Sequence, residues 1–240
     1  MPRSITTLGL DADDTLWHNE EVFQLTQERF TALLADSAAP GDLRARLLEA
    51  ERRNLGHYGF GVKGFTLSMI ETAIEVTDGR VPARVLGELV QAGREMLEHP
   101  IALLPGVEEA IAQLAAERRL ILITKGDLLD QERKLAQSGL GAYFSAVEVV
   151  SHKTPAIYDS AFRRHGDGVG RALMAGNSLA SDIRPALEAG AWAVHVPHAL
   201  TWALDEADRP TGAARFRQIA ALLELPALLN EIEAAFPDMS

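Results

Sequence analysis

No cysteine occurs in the 240-residue chain. That absence excludes disulfides, thiolate metal sites and cysteine nucleophiles together, so any metal must be held by oxygen or imidazole. The chemistry must then rest on carboxylates, hydroxyls, lysines or histidines. Also missing is any run near the ~20 uninterrupted apolar residues that a membrane span needs. The opening Met-Pro-Arg-Ser has none of the apolar stretch of a secretory signal. The expectation is a soluble cytoplasmic protein with no membrane partner. Basic residues are in short supply, 23 against 34 acidic ones, which leaves a net charge of −11. This balance disfavours nucleic acid as the main partner. It also repels phosphorylated substrates, so a site for one must supply local positive charge through a metal and a lysine.

What is there is a hydrophobic content of 47%, ample for a buried core. Short apolar runs at 5–10, 120–123, 146–150, 172–174 and 192–196 read as buried strands of a parallel sheet. From the second run onward, helical patterns at 107–118, 128–137, 156–164 and 181–189 separate them, the alternation of a doubly wound α/β sheet. The first run breaks this rule. The segment after it is helical in pattern at 22–34, 43–55, 67–76 and 83–97, with Gly and Pro between. The expected organisation is an α/β core from residues 1–17 and 100–240, with a helical insertion at 18–99. The tail holds a short strand at 214–217 and a helix at 219–229.

The strongest chemical signal is Leu10-Asp11-Ala12-Asp13-Asp14-Thr15-Leu16, where the first apolar run stops at three carboxylates within four residues. Like charge at that density is costly. A divalent cation relieves it, and magnesium favours one or two carboxylates plus phosphate oxygens and water. The plain alternative is a helix-capping acidic turn.

Asp-x-Asp-x-Thr-Leu after a strand resembles the first motif of the haloacid dehalogenase superfamily of phosphohydrolases. Three further motifs follow in order, each after an expected strand: Thr124 in Leu122-Ile123-Thr124-Lys125-Gly126-Asp127, Lys153 in Ser151-His152-Lys153-Thr154-Pro155, and Gly176-Asn177-Ser178-Leu179-Ala180-Ser181-Asp182. The resemblance spans roughly residues 5–200. It implies a magnesium-dependent phosphatase with a Rossmann-like core and a helical cap that acts on a small phosphorylated metabolite. Asp11 would attack phosphorus, and Asp13 would protonate the leaving oxygen and then activate water. Thr124 and Lys153 would cradle the phosphoryl oxygens. Magnesium would take the Asp11 carboxylate, the Asp13 main-chain carbonyl and Asp182, with Asn177 standing where the family usually has an acid.

Lys125 stands where many relatives carry asparagine; it can contact phosphate, pair with a carboxylate or be a solvated strand end. Asp14 occupies a position that is often glycine and reads as loop structure, while Asp127 and Ser178 read as helix caps. His18 and His152 have no metal-ligand spacing. In the cap, His57-Tyr58-Gly59-Phe60-Gly61-Val62-Lys63-Gly64-Phe65 reads as a flexible loop in which Tyr58 and Lys63 are candidate substrate contacts, or as a plain interhelical connection. Its Gly-x-Gly-x-x-Gly follows a helix instead of a strand, so a dinucleotide-binding reading fails. Within the superfamily, dehalogenation typically lacks the second aspartate, so Asp13 favours phosphate, and phosphomutase activity stays open. A receiver-type signalling module takes the phosphoryl group at the end of its third strand, where this chain has Ser151-His152. A non-catalytic binding protein stands against the retained set of motif residues. Oligomeric state is left undetermined.

Overall fold

A computed structural model of the chain describes residues 4–205 and 207–235, and the Met-Pro-Arg start read above for a leader lies outside them. The elements run β1 (Thr7–Leu10), α1 (Glu20–Leu33), α2 (Pro40–Tyr58), α3 (Val62–Val76), α4 (Ala83–Glu98), α5 (Val107–Ala115), β2 (Arg119–Lys125) and α6 (Leu128–Ser138). There follow β3 (Ala146–Val150), α7 (Pro155–His165), β4 (Ala172–Gly176), α8 (Arg184–Ala189), β5 (Trp192–His195), β6 (Phe216–Gln218) and α9 (Leu225–Ala235). Among the described residues, no helix is long and apolar enough to cross a membrane.

The strands form one six-stranded sheet in the order β3-β2-β1-β4-β5-β6, with β1 parallel to β2 and β4, and β5 parallel to β4 and β6. Period-two alternation gives the sheet a core on each face. Leu8, Leu10, Leu120, Leu122, Leu173, Ala175, Trp192 and Val194 pack with α5 and α9. Ile121, Ile123, Ala172, Met174 and Ala193 pack with α7 and α8. At Gly9 a Cβ would lie 2.9 Å from the Phe162 ring, so glycine lets α7 approach the middle of the sheet. The chain reverses its direction of winding between β1 and β4. In an open α/β sheet that switch point is where strand ends leave a crevice for ligands.

By its contacts the chain falls into two compact units. One takes its residues from Met1–His18, Ile101–Thr124 and Glu132–Ser240, and the other from Asn19–Pro100 and Lys125–Gln131. The second has its own core, in which Phe30, Leu43, Leu47, Phe65, Met69, Val85, Leu89 and Met96 join all four helices α1 to α4. The short segment after β2 belongs with these helices, which sequence periodicity could not reveal.

Three boundaries differ from expectation. The tail helix starts at Leu225 because Pro226, which lacks an N–H, fits only a first helical turn; the Glu224 carboxylate accepts the Ala221 N–H just before it at 3.2 Å. The helix expected from 181 starts at Arg184 and follows a π-helical turn, Leu179–Ile183. The glycine-rich loop is mostly helix: α2 runs through Tyr58 and α3 begins at Val62, which leaves Gly59 and Gly61, at φ 72° and 109°, to make the turn between them.

Candidate active site

Asp11 directly follows β1, and its N–H donates to the Ala175 carbonyl of β4 at 3.0 Å, which seats it at the switch point with 6% exposure. Lys153 comes from the third motif, just before α7. The Thr154 hydroxyl caps α7 by accepting the Ile157 N–H at 3.3 Å, and Pro155 opens the helix, so the residue ahead of them is fixed. The Lys153 ammonium donates to Asp11 Oδ1 at 2.5 Å and to Asp182 Oδ1 at 2.6 Å. One buried cation thus joins carboxylates from two strand ends.

Asp182 lies in the π turn, a feature that often marks functional sites. The Ser178 N–H donates to Asp182 Oδ2 at 2.9 Å, Ser178 Oγ accepts the Ser181 N–H at 3.0 Å, and the Tyr158 hydroxyl donates to the Ser181 carbonyl at 3.0 Å. The carboxylate packs so tightly on the end of β4 that a Cβ at Gly176 would fall 2.3 Å from Asp182 Oδ2. Asn177 is tied in through Thr15. Its N–H donates to Thr15 Oγ1 at 3.1 Å, and that hydroxyl faces both Asp11 Oδ2 (3.1 Å) and Asn177 Oδ1 (3.3 Å). Asp14 takes a left-handed conformation, φ 59°, which glycine, asparagine and aspartate adopt more readily than other residues.

Burial, and then the charge of Asp182, pushes the Asp11 carboxyl up to about 7 against the opposing pull of Lys153. Burial alone would lower the Lys153 ammonium, but Asp11 and Asp182 outweigh it and hold the group above its ordinary range. With both carboxyls ionised, the two carboxylates and one ammonium sum to −1, a local excess of negative charge walled off from water. Among the described residues no three His, Asp or Glu side chains converge as a metal centre. The ligand set expected from the motifs, however, contains only two carboxylates, with an amide and a main-chain carbonyl beside them. Those donors are all oxygen, and they fit a hard divalent cation.

The chain matches the family model for haloacid dehalogenase-like hydrolases across residues 5–190. It belongs to that family. Among solved structures, a haloacid dehalogenase-like family hydrolase from Xanthomonas campestris is 39% identical with a TM-score of 0.89, covering 100% of this chain and 96% of that one. The L-2-haloacid dehalogenase of Xanthobacter autotrophicus, 19% identical, shares the fold with a TM-score of 0.66 over 94% of this chain and 98% of that one. Human (Homo sapiens) N-acylneuraminate-9-phosphatase is 30% identical over 174 residues, which is 68% of this chain and 66% of that enzyme. The chain therefore matches just under two thirds of its curated relative's length.

In this haloacid dehalogenase-like hydrolase the remaining motif residues are distributed unevenly. Thr124 sits in β2, two residues past the Leu122 that pairs with Leu10, with 1% exposure. Asp13 has donors of its own: Trp17 Nε1 at 2.7 Å, and Lys134 Nζ at 2.9 and 3.1 Å to its two oxygens. Lys125, Tyr58 and Lys63 all fall in the helical unit. There the Lys125 ammonium lies 4.3 Å from the centre of the Phe60 ring, the Tyr58 hydroxyl donates to Glu71 at 3.0 Å, and Lys63 pairs with Asp127 at 2.8 Å. Asp127 also caps α6, accepting the Asp130 N–H at 3.2 Å. Sequence reading missed Lys134, Trp17 and Tyr158. The only signal for Lys134 was its seating on α6 at the i+4 position from Asp130.

Proposed function

We propose that this hydrolase is a phosphatase that cleaves a small phosphate monoester through an aspartyl-phosphate at Asp11. The observation that carries the reading is the convergence of Asp11, Lys153 and Asp182 at 2.5 and 2.6 Å on the C-terminal edge of the sheet, with a second acid, Asp13, two residues from the nucleophile. Asp11 attacks phosphorus and the ester oxygen departs as an alcohol with a proton from Asp13. Asp13 then accepts a proton from the water that cleaves the acyl phosphate, so one hard displacement becomes two easier ones. Lys153 balances charge on the nucleophile and on the incoming phosphoryl oxygens, and the Thr124 hydroxyl offers them a further donor. Asp11, Asp182, Asn177 and the Asp13 carbonyl would hold magnesium, which neutralises phosphoryl charge when bound. The helices at 18–99 would serve as a cap that excludes water and sets the preference for substrate, with Lys125, Tyr58 and Lys63 as candidate contacts.

Asp13 separates this reading from carbon–halogen hydrolysis, since a departing halide takes no proton. The fold shared with a dehalogenase does not bear on that distinction. The test is phosphate release from a panel of phosphorylated metabolites and 4-nitrophenyl phosphate, with and without magnesium. The human relative's name makes N-acylneuraminate 9-phosphate a natural member of the panel. The expected result is magnesium-dependent release that falls by roughly 10³-fold or more in Asp11→Asn with the fold retained. Release unchanged in that variant would overturn the assignment of the nucleophile.

A further inference from the structure

α6 is built against the usual hydropathic rule. It exposes Leu128 and Leu129, at 58% and 69%, and buries Asp130, Gln131 and Lys134, at 4%, 3% and 6%. Burying a lysine is costly unless its ammonium is paired and hydrogen-bonded. The Lys134 ammonium reaches both oxygens of Asp13, at 2.9 and 3.1 Å, and its side chain is 8% exposed. From another direction Trp17 Nε1 donates to Asp13 Oδ1 at 2.7 Å. Trp17 is itself immobilised: it is fully buried in the core of the sheet unit, bridged to Leu103, and its carbonyl accepts the Asp14 N–H at 2.8 Å. The carboxylate of Asp13 therefore has donors from α6 and from the end of its own turn, both anchored elsewhere.

We infer that Lys134 and Trp17 are positioning residues that act through Asp13, orienting its carboxylate for proton exchange with the leaving oxygen. This rests on the phosphatase reading and extends it to two residues outside the four motifs. A general acid must present a defined oxygen to the substrate, and two donors from two directions fix its rotamer.

Leaving-group dependence separates positioning from plain structure. An alkoxide is a poor leaving group and needs the proton of Asp13, whereas 4-nitrophenolate departs with little help. Single-turnover release of the alcohol is measured for 4-nitrophenyl phosphate and for whichever alkyl monophosphate the wild type cleaves fastest. In Lys134→Met the alkyl ester is expected to slow by ~10–100-fold and the aryl ester by less than about threefold, part of the 10²–10⁴-fold that general acid catalysis supplies. Asp13→Asn should show the same split, and Lys134→Met should add nothing in the Asp13→Asn background. Trp17→Phe, which removes one donor and keeps the packing, should give a smaller split of the same sign, and it decides the matter if Lys134→Met does not fold. Equal slowing of both esters, no slowing, or additive losses in the double variant would overturn the inference while leaving the phosphatase reading intact. A wild type that cleaves neither ester would remove both.

Discussion

The side chains of Asp11, Lys153 and Asp182 in the sheet unit are 9%, 1% and 1% exposed, whereas Arg29–Glu95, Arg53–Glu75 and Lys63–Asp127 in the helical unit leave 27% to 55% of each side chain in water. The distances are similar, 2.5 to 2.8 Å, so geometry does not distinguish the two sets. Solvation does. Exposed pairs offset little desolvation and contribute little, while a buried cluster costs several kcal/mol per ion and is a poor way to gain stability. Buried charge of this kind clusters at functional sites.

Lys153→Met breaks the comparison most severely. It leaves two buried carboxylates facing each other, and the expected loss is about 3–5 kcal/mol in chemical denaturation near pH 8. The sign of the pH effect follows from Asp11. Its folded value, about 7, lies above the ordinary 3.8, so between these limits the folded state holds the extra proton. The stability Asp11 contributes is complete below 3.8 and is lost as pH rises through about 7. Removing the ammonium takes away the main influence that lowers Asp11, so Lys153→Met should be markedly less destabilised at pH 5 than at pH 8. Equal losses at both would mean that the carboxylates are not facing each other in the variant.

A glycine substitution made in each unit sharpens the contrast. At Gly176 a Cβ would meet Asp182 Oδ2 at 2.3 Å and Cγ at 2.4 Å. Gly176→Ala must therefore displace the carboxylate or the strand, at about 1–3 kcal/mol, and should lower phosphate release with it. Gly87, inside α4, has nothing within 4 Å of its would-be Cβ. Gly87→Ala should raise stability by roughly 0.5–1 kcal/mol because alanine loses less backbone entropy in a helix. Thermal denaturation reads both, and the same change of residue is expected to give opposite signs.

What the sequence displayed, and what it hid, follows the same division. Asp11, Lys153 and Asp182 follow the ends of β1, β3 and β4, and a parallel sheet delivers such ends to one edge, so the order of these three along the chain was enough to expect them together. Lys134 was hidden because Glu132-Arg133-Lys134 has the composition of a solvated helix face, and hydropathy assigns Leu128 and Leu129 to the inside. The π turn that carries Asp182 was hidden for a different reason: it changes the hydrogen-bond ladder without changing the residue types. Likewise no periodicity marks residues 125–131 as part of the helical unit, since the contacts found there, Lys63–Asp127 and Lys125 over Phe60, join segments far apart in the chain.

Lys63→Met is the mildest test. Lys63 is 55% and Asp127 27% exposed at the side chain, so the pair should contribute at most about 1 kcal/mol, less in 1 M salt where screening acts within ~3 Å. The hydrogen bond from Lys63 is the main influence that lowers the Asp127 carboxyl below 3.8, with the Asp130 and Leu129 N–H groups adding to it against burial. A depressed carboxyl contributes stability above 3.8 that is lost as pH falls through its folded value. Wild type and Lys63→Met should therefore converge in stability in strong acid and differ slightly at neutral pH, as thermal denaturation across that range would read. Because the fold hardly depends on this pair, KM can be read cleanly in the same variant. A several-fold rise in KM at unchanged stability would make Lys63 a substrate contact, and an unchanged KM would confine it to holding the cap of α6.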